Sequence, residues 1–254
     1  MANVKGFWTL TYREVTRIRK IVHQTILAPA ISALLYIIVF GVFIGAQIGN
    51  VAGVSYIEFL VPGLIMMTVI TNAYMQTSSQ ILLSKIWGNL QELLTTPLSY
   101  FEMVLALTLG GVVRGFIVGI VTLLVALLFA QISIANIFAF VYFIFFVSLI
   151  FSSIGLIVGL WADKFDHLAA LTNFFLTPLT FLGGVFYSIH MLPAPLAQAS
   201  AFNPILYMIN GMRFGVLGIS DVNVVFSAAF VFLVAAFFFS LNVWLFRRGY
   251  RIRT

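Results

Sequence analysis

The chain has 254 residues, of which 62% are hydrophobic and only 8% charged. A water-soluble domain carries about a quarter charged residues, so this chain cannot cover its surface in water and takes lipid as its solvent. The absence of cysteine excludes disulfides, iron–sulfur clusters and thiolate metal sites, His23, His167 and His190 are too scattered to suggest a metal site, and the net charge of +6 gathers at the chain ends rather than in a patch for nucleic acid.

Residues 1–22 open the chain with Val4, Phe7, Trp8, Thr11, Val15, Ile18 and Val22 at helical spacing, and Lys5, Thr9, Arg13, Arg17 and Lys20 on the other side. This predicts an amphipathic helix on the cytoplasmic surface, serving as a lipid anchor or as a platform for a soluble partner. The polar lead and the long uncharged run after it do not fit a cleaved signal peptide. A helix needs about 20 apolar residues to cross a bilayer. Six stretches qualify: 26–48, 58–81, 103–130, 136–161, 168–189 and 223–246. Runs such as Phe237-Phe238-Phe239 break the alternation that a β-barrel requires.

The segment 85–97 between spans two and three is too polar to span and too patterned for a plain linker. Leu90, Leu93 and Leu94 form a short apolar edge, Gln91 and Glu92 point elsewhere, and Pro97 ends the pattern. A short cytoplasmic helix folded onto the bundle is expected. Ser99-Tyr-Phe-Glu102 fits a capping box opening span three. Within that span Gly111, Gly115 and Gly119 recur every four residues and predict a smooth stripe for close helix contact, or a moving interface. Arg114 falls near mid-depth of the same span. It hydrogen-bonds neighbouring helix carbonyls, meets a transported anionic or polar group, or snorkels to an interface. Asp163 and Asp166 flank Lys164 in a short cytoplasmic turn.

Residues 190–222 are largely apolar but broken by Pro193, Pro195 and Pro204. Two short helices dipping into the membrane from the far side satisfy such a segment, with Arg213 and Asp221 near the outer interface. With the N-terminus inside, eleven of the thirteen Lys and Arg fall on the cytoplasmic side, Arg213 falls outside and Arg114 lies within a span, a strong positive-inside bias. The four lysines follow Val4, Arg19, Ser84 and Asp163, never glycine, so no phosphate-binding P-loop exists, and no catalytic set presents itself.

Over nearly its whole length the chain resembles the permease subunits of type-2 (ABC-2) ABC exporters. The resemblance is carried by Phe59-Leu-Val-Pro-Gly-Leu-Ile-Met-Met-Thr-Val-Ile-Thr-Asn-Ala-Tyr74, Gln91-Glu-Leu-Leu-Thr-Thr-Pro97, Arg114-Gly115, Leu176-Thr-Pro-Leu-Thr-Phe-Leu-Gly-Gly-Val-Phe-Tyr187, and Asn203-Pro204 with Arg213. It implies a single all-α domain over 1–254 in a bacterial inner membrane, with both termini cytoplasmic. Two permease copies would work with two separate ATP-binding subunits, which hold the ATP and Mg; this chain would bind no cofactor. Residues 85–97 would be the coupling helix, with Leu90, Glu92, Leu93 and Leu94 meeting the ATPase. Residues 1–22 would form the interfacial helix, and 190–222 the re-entrant helices of an extracellular gate containing Asn203, Pro204 and Arg213. The chain departs from many relatives at Lys85-Ile-Trp-Gly-Asn-Leu90, where little charge precedes Gln91-Glu92.

The expected function is export of a lipid, saccharide or drug-like substrate by alternating access, driven by ATP on the partner. An ion-coupled secondary transporter is the rival, although no Asp or Glu lies mid-span and no internal repeat is visible.

Overall fold

The computed structural model describes residues 4–20, 23–90 and 95–250. In chain order these form α1 (Val4–Lys20), α2 (Thr25–Ile48), a hairpin of β1 (Asn50–Val51) and β2 (Val54–Ser55), and the long helices α3 (Tyr56–Ile86), α4 (Tyr100–Ala126) and α5 (Ile137–Trp161). After them come α6 (165–182), α7 (Ala194–Ala201), α8 (Pro204–Leu217) and α9 (Val224–Arg248). The strands are antiparallel, with Asn50 opposite Ser55 and Val51 opposite Val54.

Among the described residues five helices are long and apolar enough to cross a membrane: α2, α3, α4, α5 and α9. Six had been expected. The remaining stretch, 168–189, is helical only as α6, three successive segments of seven, five and six residues. Its middle segment, Thr172–Leu176, is wound as a wide π turn. The helix stops at Gly183-Gly184, where Gly184 takes φ +87°, a conformation that glycine adopts at little cost. At about 1.5 Å per residue, eighteen residues reach about 27 Å, just short of a hydrocarbon core of about 30 Å.

Polar residues start the helices by satisfying amides that lipid could not. Ser55 accepts from the Glu58 amide at 3.4 Å and Glu58 accepts from the Ser55 amide at 3.2 Å. The expected box before α4 is present, with Glu102 accepting from the Ser99 amide at 2.8 Å and Ser99 from the Glu102 amide at 3.3 Å. Asn136, Asn203 and Asn223 cap α5, α8 and α9.

Helix α3 lies at the centre, packed on α4, α5 and α8. Of its apolar stretch 72% is buried, against 22% for α2 and 17% for α9, which leaves those two as flanks with faces for lipid. The glycine stripe of α4 explains the close packing. A Cβ on Gly111 would collide with Ser152 Oγ of α5 and lie 2.7 Å from Thr77 Oγ1 of α3. One on Gly115 would collide with Ser148 Oγ, and one on Gly119 would sit 3.1 Å from Val69 Cγ2. Helix α5 returns the contact, since a Cβ on Gly155 would lie 2.5 Å from the Tyr74 carbonyl oxygen and one on Gly159 2.8 Å from that of Ser78. Three backbones meet where side chains are smallest.

Candidate functional site

The broken segment 190–222 folds as a short 3₁₀ turn (Ile189–Met191) followed by α7 and α8. Fourteen residues in α8 give a length of about 21 Å, too short to cross the core. Asn203 holds the break between α7 and α8. Its Oδ1 accepts from the Ile205 amide at 3.0 Å, its Nδ2 donates to the Leu179 carbonyl at 2.6 Å, and Pro204 takes the first helical position, where a missing N–H costs nothing. An apolar cleft of about 440 Å³ opens beside it, bordered by Leu179, Leu182, Tyr187, Leu196 and Phe202.

Arg213, on α8, is 1% exposed. Its Nη1 pairs with Asp221 Oδ2 at 2.9 Å, its Nη2 donates to the Gly184 carbonyl at 2.8 Å, and its guanidinium lies 3.9 Å from the centre of the Phe59 ring. Asn210, one turn earlier, secures the loop that brings Asp221 in. Its Oδ1 accepts from the amides of Asp221 and Val222 at 2.7 and 3.0 Å, and its Nδ2 donates to the Val222 carbonyl at 2.8 Å. The node joins α3, the turn after α6, α8 and the start of α9. Asn203 and Arg213 stand on the same short helix, Asn203 as its cap and Arg213 locked into an ion pair with Asp221.

Arg114, on α4, reaches α3. Nη1 donates to Gln76 Oε1 at 2.7 Å and Nη2 to Asn72 Oδ1 at 3.2 Å. Its partners are side-chain amides, not the backbone carbonyls considered from sequence. A signal for them existed: Thr68, Asn72, Gln76, Gln80 and Ser84 recur every four residues along an otherwise apolar helix. Thr68 meets Thr122 of α4 at 3.0 Å on the same row.

Helix α3 ends at Ile86, the chain turns at Gly88 with φ +77°, and Leu90 is 4% exposed, in a buried apolar cluster with Ile81, Val104, Leu107, Leu156, Leu160 and Phe246. Leu90, expected in the docking edge, packs on the bundle of its own chain, where the turn at Trp87-Gly88 reverses the direction. Glu92, Leu93 and Leu94 lie outside the described residues, as do Gln91, Val22, Arg251 and Arg253. Nearby, Lys85 Nζ meets Asp163 Oδ1 at 2.7 Å and the Ala162 carbonyl at 3.1 Å, tying the ends of α3 and α5 together.

Helix α1 forms as expected and packs on α4. The face it buries overlaps the expected apolar one at Thr11 but is shifted toward Leu10 and Glu14. Leu10, Thr11 and Glu14 are buried, while Trp8 and Tyr12 are 63% and 68% exposed. Glu14 packs at Gly110, where an added Cβ would lie 3.3 Å from its own. Burial pushes the Glu14 carboxyl above its ordinary range, against the opposing influence of Arg13, Arg17 and a hydrogen bond to Gln80.

A profile of the ABC-2 type transporter family matches residues 5–217. The chain is 41% identical to the inner membrane transport permease YadH of Escherichia coli K12, over 99% of this chain and 97% of that protein. It is 26% identical to nodulation protein J of Rhizobium leguminosarum biovar viciae, over 81% and 80% of the two chains, and 23% identical to that of Neorhizobium galegae, over 88% and 86%. With a profile match and a relative of this identity both spanning most of its length, the chain belongs to the ABC-2 type transporter family of multi-pass membrane proteins.

Proposed function

We propose that this chain is the membrane-spanning permease subunit of an ATP-driven exporter in a bacterial inner membrane, with both termini cytoplasmic. Two copies, embedded in lipid, would pair with two ATP-binding subunits that carry ATP and Mg. ATP-driven closure of those subunits would push on the 85–97 segment and alternate the exposure of a path for a lipid, saccharide or drug-like cargo.

The observation that supports this reading best is the seat of Leu90. It belongs to an apolar cluster built from side chains of α3, α4, α5 and α9. A force applied to the segment from the cytoplasm therefore reaches four helices at once, through packing that is stiff rather than fluid. The test is co-expression with the cell's stand-alone ABC ATP-binding subunits, followed by reconstitution in liposomes. Co-purification of one such subunit, and ATP turnover at least several-fold above that of the subunit alone, are expected. A chain that retains no ATP-binding subunit and transports on an ion gradient without ATP overturns the proposal.

A further inference from the structure

We infer that Arg114 is the receptor for the oxyanion end of an amphiphilic ligand, held at mid-depth between α3 and α4. This rests on the permease reading for its biological meaning but not for its test.

Arg114 lies fourteen residues from the start of α4 and twelve from its end, on the order of 20 Å from either. At that depth a charged group does not face hydrocarbon. Its two bonded partners, Gln76 and Asn72, are neutral. They orient the guanidinium without cancelling its charge. Among the described residues no acceptor meets Nε, although that atom is buried. Arg114 and Asn72 are nonetheless part-exposed, as are Thr71, next to Asn72 in the chain, and Ile117, three residues along α4 from Arg114, so the cluster opens out of the protomer.

Among the described residues no carboxylate pairs with Arg114. The seven acidic residues are Glu14, Glu58, Glu92, Glu102, Asp163, Asp166 and Asp221. Glu58 and Glu102 occupy the first turns of α3 and α4. Asp163 and Asp166 follow α5, Glu92 lies between α3 and α4 in sequence, and Asp221 is taken by Arg213. Glu14 comes nearest, at Gly110, one turn toward the start of α4, and it is Gln80 that it faces. A second copy of the chain repeats the same seven residues at the same depths. What remains is an anion from outside. A guanidinium offers N–H pairs at the spacing of carboxylate or phosphate oxygens, and the part-exposed Ile117 on the same face of α4 suits an apolar body attached to such a group.

The chain has no cysteine, which permits a direct test. Ile117→Cys, three residues from Arg114 on the same helix face, is made in the full chain in detergent and in membranes. It is treated with a negatively charged sulfonatoethyl thiosulfonate and with its positively charged trimethylammonium counterpart. Selection by one nearby cation predicts a rate ratio of about tenfold in favour of the anion, falling to parity with Arg114→Gln. Decyl phosphate should slow the reaction at least several-fold, and uncharged decyl maltoside should not. Protection by inorganic phosphate as strong as that by decyl phosphate would support a free-anion source, and weak protection an amphiphile. Arg114→Lys, which keeps the charge if Arg114→Gln fails to fold, should retain most of the ratio. Equal rates for the two reagents in the parent Ile117→Cys chain, or a ratio that appears only with Glu14→Gln, would overturn the assignment; the latter would make Glu14 the counter-charge. None of these rates needs an ATP-binding subunit, so a failed reconstitution leaves the inference standing.

Discussion

Arg213 on α8 and Asp221, eight residues later in the α8–α9 turn, form a buried ion pair 2.9 Å long, with side chains only 1% and 7% exposed. Removing one member of such a pair leaves an uncompensated charge inside, at a cost of about 3–5 kcal/mol. Asp221→Ala should therefore lower the thermal midpoint of the purified chain sharply. Replacing both residues, Arg213→Met with Asp221→Leu, should cost less than Asp221→Ala alone, because no orphan charge remains. Melting curves of the two variants in one detergent check the order.

A second stability prediction separates two glycines that look alike in sequence. At Gly155 a new methyl meets the Tyr74 carbonyl oxygen at 2.5 Å and the Ser78 amide nitrogen at 3.2 Å, both backbone. Neither can yield, so Gly155→Ala should destabilise by about 1–3 kcal/mol or prevent assembly of α5 on α3. At Gly119 the neighbours are Val69 Cγ2 at 3.1 Å and Ile144 Cδ1 at 3.3 Å, both side-chain ends. Gly119→Ala should be nearly neutral, helped by the roughly 1 kcal/mol helix preference of Ala over Gly. Thermal unfolding of both variants decides it.

These features differ in how far they could be read from the residues alone. The cap before α4 was visible because a capping box is local: Ser99 and Glu102 need only each other. The glycine stripe was visible as packing, while its partners Ser148, Ser152 and Thr77 depend on how three helices come together. Arg213 and Asp221 were placed near one another, but their pairing depends on Asn210 folding the loop. The end of α6 was misjudged by seven residues because apolar composition continues past Gly183-Gly184, where the helix does not. For α1, periodicity pointed at Trp8 rather than Glu14. Beside a membrane an apolar side chain is as stable facing lipid as facing protein, so hydrophobicity marks the lipid side as readily as the bundle side.

The burial of Glu14 on α1 gives a pH prediction. Burial of Glu14 favours its neutral form, so the folded carboxyl holds its proton above the pH at which a free one releases it. The folded state then binds more protons than the unfolded one across that window. The stability of the α1 docking is fully present at acidic pH and falls as pH rises through the folded value. Glu14→Gln removes this dependence and should tighten α1 at neutral pH, with the difference from wild type vanishing below the ordinary carboxylate range. Amide hydrogen exchange over residues 5–17, compared between the two chains at matched pH, measures it. Tighter exchange protection in wild type at pH 8 would contradict it.

The positive-inside bias makes a topological prediction. Ser133 and Ser220, in the turns before α5 and α9, are exposed, as is Lys164 in the turn after α5. Cysteines introduced at Ser133 and Ser220 should react with an impermeant thiol reagent in intact cells, and one at Lys164 only after the membrane is opened. The inverse pattern would place both termini outside and remove the 85–97 segment from the cytoplasm.

The coupling segment yields the last prediction, resting on the proposed function. Leu90 is buried in a cluster fed by four helices, so on that proposal its part would be to transmit. Contact with an ATP-binding subunit would then fall to Glu92, Leu93 and Leu94, which follow it. Leu90→Ala should cost about 2–5 kcal/mol of local packing and loosen the segment from the bundle. The ATP-binding subunit should still co-purify, while its ATP turnover ceases to respond to the permease. Glu92→Ala should remove a charge-assisted contact worth about 1.5–3 kcal/mol and weaken docking without changing the membrane level of the protein. Leu93→Asp with Leu94→Asp should release the ATP-binding subunit from the detergent-purified complex altogether. The two classes are thus expected to part: loss of response with binding kept for Leu90, and loss of binding for the others. Full retention of binding and turnover by all of them would show that ATP-driven motion enters the bundle elsewhere.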